Sequence, residues 1–348
     1  MHANDADAGW AVEREALLGR RISELGLAVR GSPLERLVQQ LHAELDARGV
    51  RYHPPVYLSD EWGCPDGTPL IGVPFYLADA RLARIEAEHA AGVEDVPESM
   101  RYLRHEAGHA INYAYRLHAR PDWEATFGAW GRPYQDRFRV DPFSRAHVRH
   151  ILGWYAQKHP DEDFAETFAV WLTPGLDWRA AYAGWPALAK LEWVDRVMRE
   201  VGAQAPAAPE PGDDDLPVEA MHYTIAEHYD ALDERLPLEE LSLFDADLRT
   251  IFATAGDAPA GEAATDFLAR HEGEIVARLS HWTGESPALA RSLIRGLADR
   301  AAALQLRIAG LEAATLVELT AFATTVLMNH RYTRAPGPGD AARAAREG

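Results

Sequence analysis

Residues 105–109 read His-Glu-Ala-Gly-His. On an α-helix, positions i and i+4 lie on one face a turn apart, so two imidazoles so placed can grip one metal ion at about 2.0–2.1 Å. Glu106, beside the first histidine, stands where a base can take a proton from water on that metal, because zinc lowers the pKa of such a water to about 7. The flanking string MRYLRHEAGHAINYAYRL has helical spacing and many apolar residues. It predicts a partly buried helix over about 97–117, with Pro97 near its first turn. Two histidines and a glutamate on a buried helix need a partner that offsets the cost of their desolvation.

Two histidines leave a tetrahedral site incomplete. An extended form of the motif would add glycine and a third histidine three and six residues further on, but Asn112 and Tyr115 stand there. The remaining common choice is a carboxylate from a later helix. The segment WYAQKHPDEDFAETFAVW, residues 154–171, offers two. Pro160 followed by Asp161, Glu162 and Asp163 makes a good helix start, since proline suits the first turn and acids suit the positive end of the dipole. Glu162 and Glu166 then share one face, and Phe164 and Phe168 another. One carboxylate can take the metal while the other hydrogen-bonds a ligand histidine from behind. The spacing leaves open which does which.

HEAGHAINY, followed by Tyr155, Glu162 and Glu166, resembles the glutamate-zincin metallopeptidases. The order Tyr, Glu, Glu at this spacing is similar to that of anthrax lethal factor and the Pro-Pro endopeptidases. The string HPDEDFAETFAVWL is similar to a bacterial zinc-binding metallopeptidase family. The resemblance covers about residues 50–200. It implies a zincin-like domain holding one Zn2+ per chain on His105, His109 and Glu162, with Glu166 behind a histidine. It also implies that the Tyr155 hydroxyl stabilises the tetrahedral intermediate of peptide hydrolysis, for which a phenol donating to the developing oxyanion is well suited. Tyr113 and His159 compete for that role. Two other functions fit the same residues: a zinc amidohydrolase acting on a non-peptide or isopeptide amide, and a non-catalytic zinc-binding or scaffold protein.

Substrate features are fainter. Leu70–Leu77, LIGVPFYL, reads as a strand whose Pro74 favours a sheet edge, where an extended peptide could add. Pro55–Leu58 reads as a second strand, across the turn-rich stretch SDEWGCPDGTP. Arg132, Arg137, Arg139, Arg145 and Arg149 form a basic island in a chain of net charge −19. Arg145 and Arg149, with His159, are candidates for contacts to a peptide or protein substrate, an acidic one included. The same negative charge argues against nucleic-acid binding. No apolar run is long enough to span a membrane, and the polar, acidic N-terminus does not read as a secretory signal. Cys64 is the only cysteine, so any metal is held by nitrogen and oxygen, and a cytoplasmic location is expected.

The elements that must position these residues read as α+β, mostly helical. A zincin-like metallopeptidase domain with a small edge-exposed β-sheet is expected over 1–203, opening with a helix over 32–47. Seven of the ten tryptophans fall in 122–203 and read as core. A Pro/Ala/Asp linker is expected over 204–215. An all-α domain over 216–333, open to partner or oligomer contacts, would show helices across 279–304 and 309–328. A disordered tail is expected from 334.

Overall fold

The computed structural model describes residues 3–90, 92–135, 138–207, 216–231, 238–258 and 260–334. The chain divides into two units, Met1–Arg84 with Glu94–Ile225, and Ile85–Val93 with Ala226–Gly348. Along the first run α1 (Ala3–Leu18), α2 (Leu34–Ala47), β1 (Val56–Ser59), β2 (Ile71–Pro74), α3 (Ala80–Ala90), α4 (Val96–Tyr115), α5 (Trp123–Phe127), α6 (Pro160–Leu172), α7 (Trp178–Ala181) and α8 (Ala187–Val201). The division falls within α3. Then follow α9 (Ile225–Ala231), α10 (Asp245–Ile251), β3 (Ala253–Thr254), α11 (Ala264–Thr283), α12 (Pro287–Ala303), β4 (Leu306–Arg307) and α13 (Glu312–Arg334).

The mostly helical α+β expectation holds, and the structure differs from it in detail. β1 and β2 pair in parallel, Val56 opposite Ile71. β2 is not an exposed edge: all four residues are buried, and the Gly72 N–H and C=O, which point away from β1, are paired with Gly63. The strand also stops early, because after Pro74 the chain turns through a one-turn 3-10 helix, Phe75–Ala78. In the second unit, helix 279–304 is broken: Gly284 takes a left-handed φ of 70° as α11 ends, and the Ser286 hydroxyl caps α12 on the Leu289 N–H. That unit is not all-α either, since β3 and β4 form a short antiparallel pair. The boundary lies at 225/226 rather than at 204–215, because residues 221–225 hydrogen-bond to residues 20–23 of the first unit. Most of the expected linker, 208–215, and the tail 335–348 lie outside the described residues.

The first unit is organised around α4 and α6. Asp95 caps α4 by accepting the Glu98 N–H at 2.8 Å, with Pro97 in the first turn. His159 caps α6 by accepting the Asp161 N–H on Nδ1, with Pro160 following. Every residue of α6 is buried. Trp123 and Phe127 of α5 and Trp193 of α8 pack on Phe164 with centroids 5.0, 5.5 and 6.2 Å away, so these tryptophans do fill core. The helices run antiparallel, and Gly108 in the middle of the HEAGH motif lies directly on the Ala165 backbone. A Cβ there would stand 2.7 Å from the Ala165 Cα and 2.9 Å from its carbonyl oxygen.

This contact makes a paired prediction. Alanine normally stabilises a helix interior by up to about 1 kcal/mol over glycine. Gly273 in α11 has nothing within 4 Å of its would-be Cβ, so Gly273→Ala should raise stability by up to that amount. Gly108→Ala should instead lower it by roughly 1–3 kcal/mol through overpacking, and should weaken metal binding as α6 is pushed off α4. Denaturant midpoints and a zinc titration check both; a stabilised Gly108→Ala would refute the close approach.

Candidate metal centre

The register of α4 against α6 sets three donor atoms in a near-equilateral triangle. His105 Nε2 lies 3.0 Å and His109 Nε2 3.2 Å from Glu162 Oε2, and the two nitrogens are 3.1 Å apart. All three residues are buried. The other ring nitrogens are occupied by carboxylates: His105 Nδ1 by Glu166 at 2.9 Å and His109 Nδ1 by Asp161 at 2.8 Å. An Nδ1–H that donates to a carboxylate leaves the Nε2 lone pair bare. The site therefore turns two imidazole lone pairs and a carboxylate oxygen toward one point. Tetrahedral zinc at about 2.0–2.1 Å from each would need donors about 3.3 Å apart, which this triangle nearly matches. The residues fit a divalent cation.

Each carboxylate is held in turn. Asp161 accepts from the Tyr113 hydroxyl at 2.6 Å and from Asn112 Nδ2 at 2.8 Å. Glu166 Oε2 accepts the His150 and Ile151 N–H groups at 3.2 and 2.9 Å. The Tyr134 hydroxyl donates to the remaining oxygen of Glu162. Asp161 and Tyr134 were not legible as site residues. For Asp161 a signal existed, since the second ligand histidine needs a partner on Nδ1 just as the first does. Tyr134 lies in a loop without periodicity and gave none.

The triangle opens on a cleft of about 680 Å³ whose walls include Glu106, Tyr134, Tyr155 and the segment around Gly63 and Cys64. Glu106 is only 6% exposed and, among the described residues, makes no hydrogen bond. Burial raises its pKa, partly opposed by the two histidines. Tyr155 packs its ring 5.6 Å from that of His105 and accepts from Lys158 Nζ at 3.2 Å. Burial, then the Glu162 charge, raise the Tyr134 and Tyr155 phenols above the ordinary tyrosine range, so both keep their protons.

Three expected substrate contacts are placed differently. His159 borders the cleft, but its Nδ1 caps α6 and its Nε2–H donates to the Arg132 carbonyl, leaving no free ring nitrogen. Arg145 and Arg149 are not in the cleft. Both guanidinium groups stack on Trp185, 5.7 Å from its centroid, which holds them near the other end of the helix pair. Arg132 and Lys158 border the cleft instead, with Glu61 and Asp66. Tyr113 serves Asp161 rather than the open face of the triangle. Arg137 of the basic island lies outside the described residues.

No protein-family model, curated protein or solved structure matches this chain. Among the described residues, no helix is long and apolar enough to cross a membrane.

Without metal, protons must neutralise the triangle. Burial alone would lower the His105 pKa, but hydrogen bonds to Glu162 and Glu166 outweigh it and raise it to about 9. His109 is raised likewise against burial, by Asp161 and Glu162. Burial works to raise the Glu162 pKa, yet the charge and hydrogen bonds of the histidines hold it well below the usual range. A histidine whose folded pKa exceeds its unfolded 6.5 contributes stability fully below that value and loses it as pH climbs through about 9. The metal-free protein should thus melt at a falling temperature from pH 6.5 to 9.5. The zinc-loaded protein should not, and zinc affinity should rise over the same window as protons leave. Differential scanning calorimetry with and without chelator checks this; parallel curves would contradict it. Asp161→Asn or Glu166→Gln should weaken zinc binding by about 10- to 100-fold.

Proposed function

We propose that the chain is a zinc metallopeptidase that hydrolyses an amide bond in a peptide or protein. The observation that carries this reading is the convergence of His105 Nε2, His109 Nε2 and Glu162 Oε2 within 3.2 Å beside a buried, unbonded Glu106, all facing one cleft. A purely structural cation would leave that glutamate with the cost of burial and no role. Zinc in the triangle would polarise the scissile carbonyl and acidify water. Glu106 takes the proton of the attacking water and returns it to the leaving amine; its raised pKa favours that second step. The protonated Tyr155 hydroxyl donates to the developing oxyanion, with Lys158 beside it adding positive charge. Tyr134 holds the other oxygen of Glu162, which leaves Oε2 turned toward the two histidine Nε2 atoms, where it would hold a zinc ion. The resemblance to the glutamate zincins supports the same assignment, and a single cysteine suits a cytoplasmic enzyme.

Cleavage of a peptide library, with bound zinc measured in parallel, tests the reading. Glu106→Gln should keep one zinc per chain and lose hydrolysis by roughly 10²- to 10⁴-fold. Tyr155→Phe should lower kcat by roughly 10²-fold at unchanged zinc affinity, whereas Tyr134→Phe should weaken zinc. Full activity in Glu106→Gln would defeat the proposal.

A further inference from the structure

We propose that a second cavity of the first unit binds a small organic anion, a carboxylate carried on an apolar body. The proposal does not rest on the reading of the metal centre. The cavity, about 490 Å³, shares no lining residue with the metal cleft. It lies between the first half of α4 and the end of α6, and its volume is ordinary for a small-molecule site.

Its walls carry three arginines, Arg101, Arg104 and Arg149. Arg104 is already neutralised by a two-point pair with Glu44, at 2.7 and 2.8 Å. Arg101 and Arg149 are different. Among the described residues neither meets a carboxylate, although the chain carries 54 acidic residues against 35 lysines and arginines. Their uncompensated charge in a concave, partly apolar recess is what an anion site requires. The guanidinium of Arg149 is pre-set: it donates to the Pro142 carbonyl at 2.6 Å and lies over the Trp154 and Trp185 rings. The Arg101 backbone is tied to the same wall, its carbonyl accepting the His150 Nε2–H at 3.0 Å. The apolar wall is made by Val170, Leu176 and Tyr182, whose ring stands edge-on to Trp185 with centroids 5.5 Å apart. Forked donors beside an apolar wall match an aryl or branched carboxylate better than an inorganic anion.

Isothermal titration calorimetry of the full-length, zinc-loaded protein with 3-phenylpropionate, 3-phenylpropanamide and inorganic phosphate tests this. The acid should bind once per chain, with the amide and phosphate weaker by about tenfold or more. Arg101→Gln should weaken the acid by about the same factor, and Trp185→Phe should abolish its quenching of tryptophan fluorescence. Lys158→Gln, which alters the metal cleft, should change neither. Acetyl-Ala-Ala-Phe with a free or amidated C-terminus, run beside the free acid, separates a peptide-borne carboxylate from a small metabolite. Equal binding of acid and amide, undiminished binding to Arg101→Gln, or loss of binding on zinc removal would overturn the proposal. If Arg101→Gln folds poorly, the acid–amide comparison on the native protein still decides.

Discussion

Three electron-rich atoms held within 3.2 Å of one another repel unless positive charge lies among them. Everything around α4 and α6 sustains that arrangement. Gly108 brings the two backbones close enough for an antiparallel register in which the motif turn of α4 faces the first turn of α6. Asp161 and Glu166 then stand at either side of the dihistidine pair and orient each imidazole. Remove these carboxylates and the rings could rotate or exchange tautomers, and the triangle would relax into ordinary hydrogen bonds. With them, the triangle can relax by taking up protons or by taking up a cation, and the two exclude each other.

Four acidic side chains of α6 are buried, a costly composition unless each is matched. Asp161 and Glu162 have the histidines with Tyr113 and Tyr134, and Glu166 has a histidine and two backbone N–H groups. Asp163 pairs with Lys190 at 2.5 Å, yet burial still pushes its pKa up to about 7. The positive end of the helix dipole helps the three acids of the first turn. The aromatic packing of Phe164 against Trp123 and Trp193 seals the opposite face, so the same short helix supplies both the core and the charge.

What could be read from the residues alone follows the range of the interaction. His105, Glu106 and His109 lie within one turn, and Glu162 and Glu166 are again a single turn apart after a clear start at Pro160, so helical geometry suffices. The contact between the two helices is long-range, and only the chemical demand of the metal joined them in advance. In the sequence Asp161 reads only as a dipole residue, because adjacent acids look alike until the facing helix is known. The loop residues 128–159 defeat periodicity altogether. Tyr134 therefore carries no signal in the sequence, and Arg145 and Arg149 read as substrate contacts although the structure sets them outside the metal cleft. Likewise alternation in 70–77 gave a strand but not its neighbours: parallel pairing to β1 and the bridge to Gly63 are set by how residues 60–70 return.

The placement of the cations bears on specificity. In the metal cleft Arg132 and Lys158 are offset by Glu61 and Asp66, so the protein's own charges leave little net field for choosing an acidic substrate. A bound divalent ion would be the strongest local charge there. For the proposed peptidase, discrimination would then come from shape, and the wall is the 61–66 segment rather than β2, whose outward Gly72 groups are taken by Gly63. The uncompensated arginines lie in the other cavity, beside His150, whose backbone N–H holds Glu166 against His105. The proposed anion recess and the candidate metal triangle thus lie toward opposite ends of the α4–α6 pair, with Glu166 between them, bonded to His105 and to the His150 N–H.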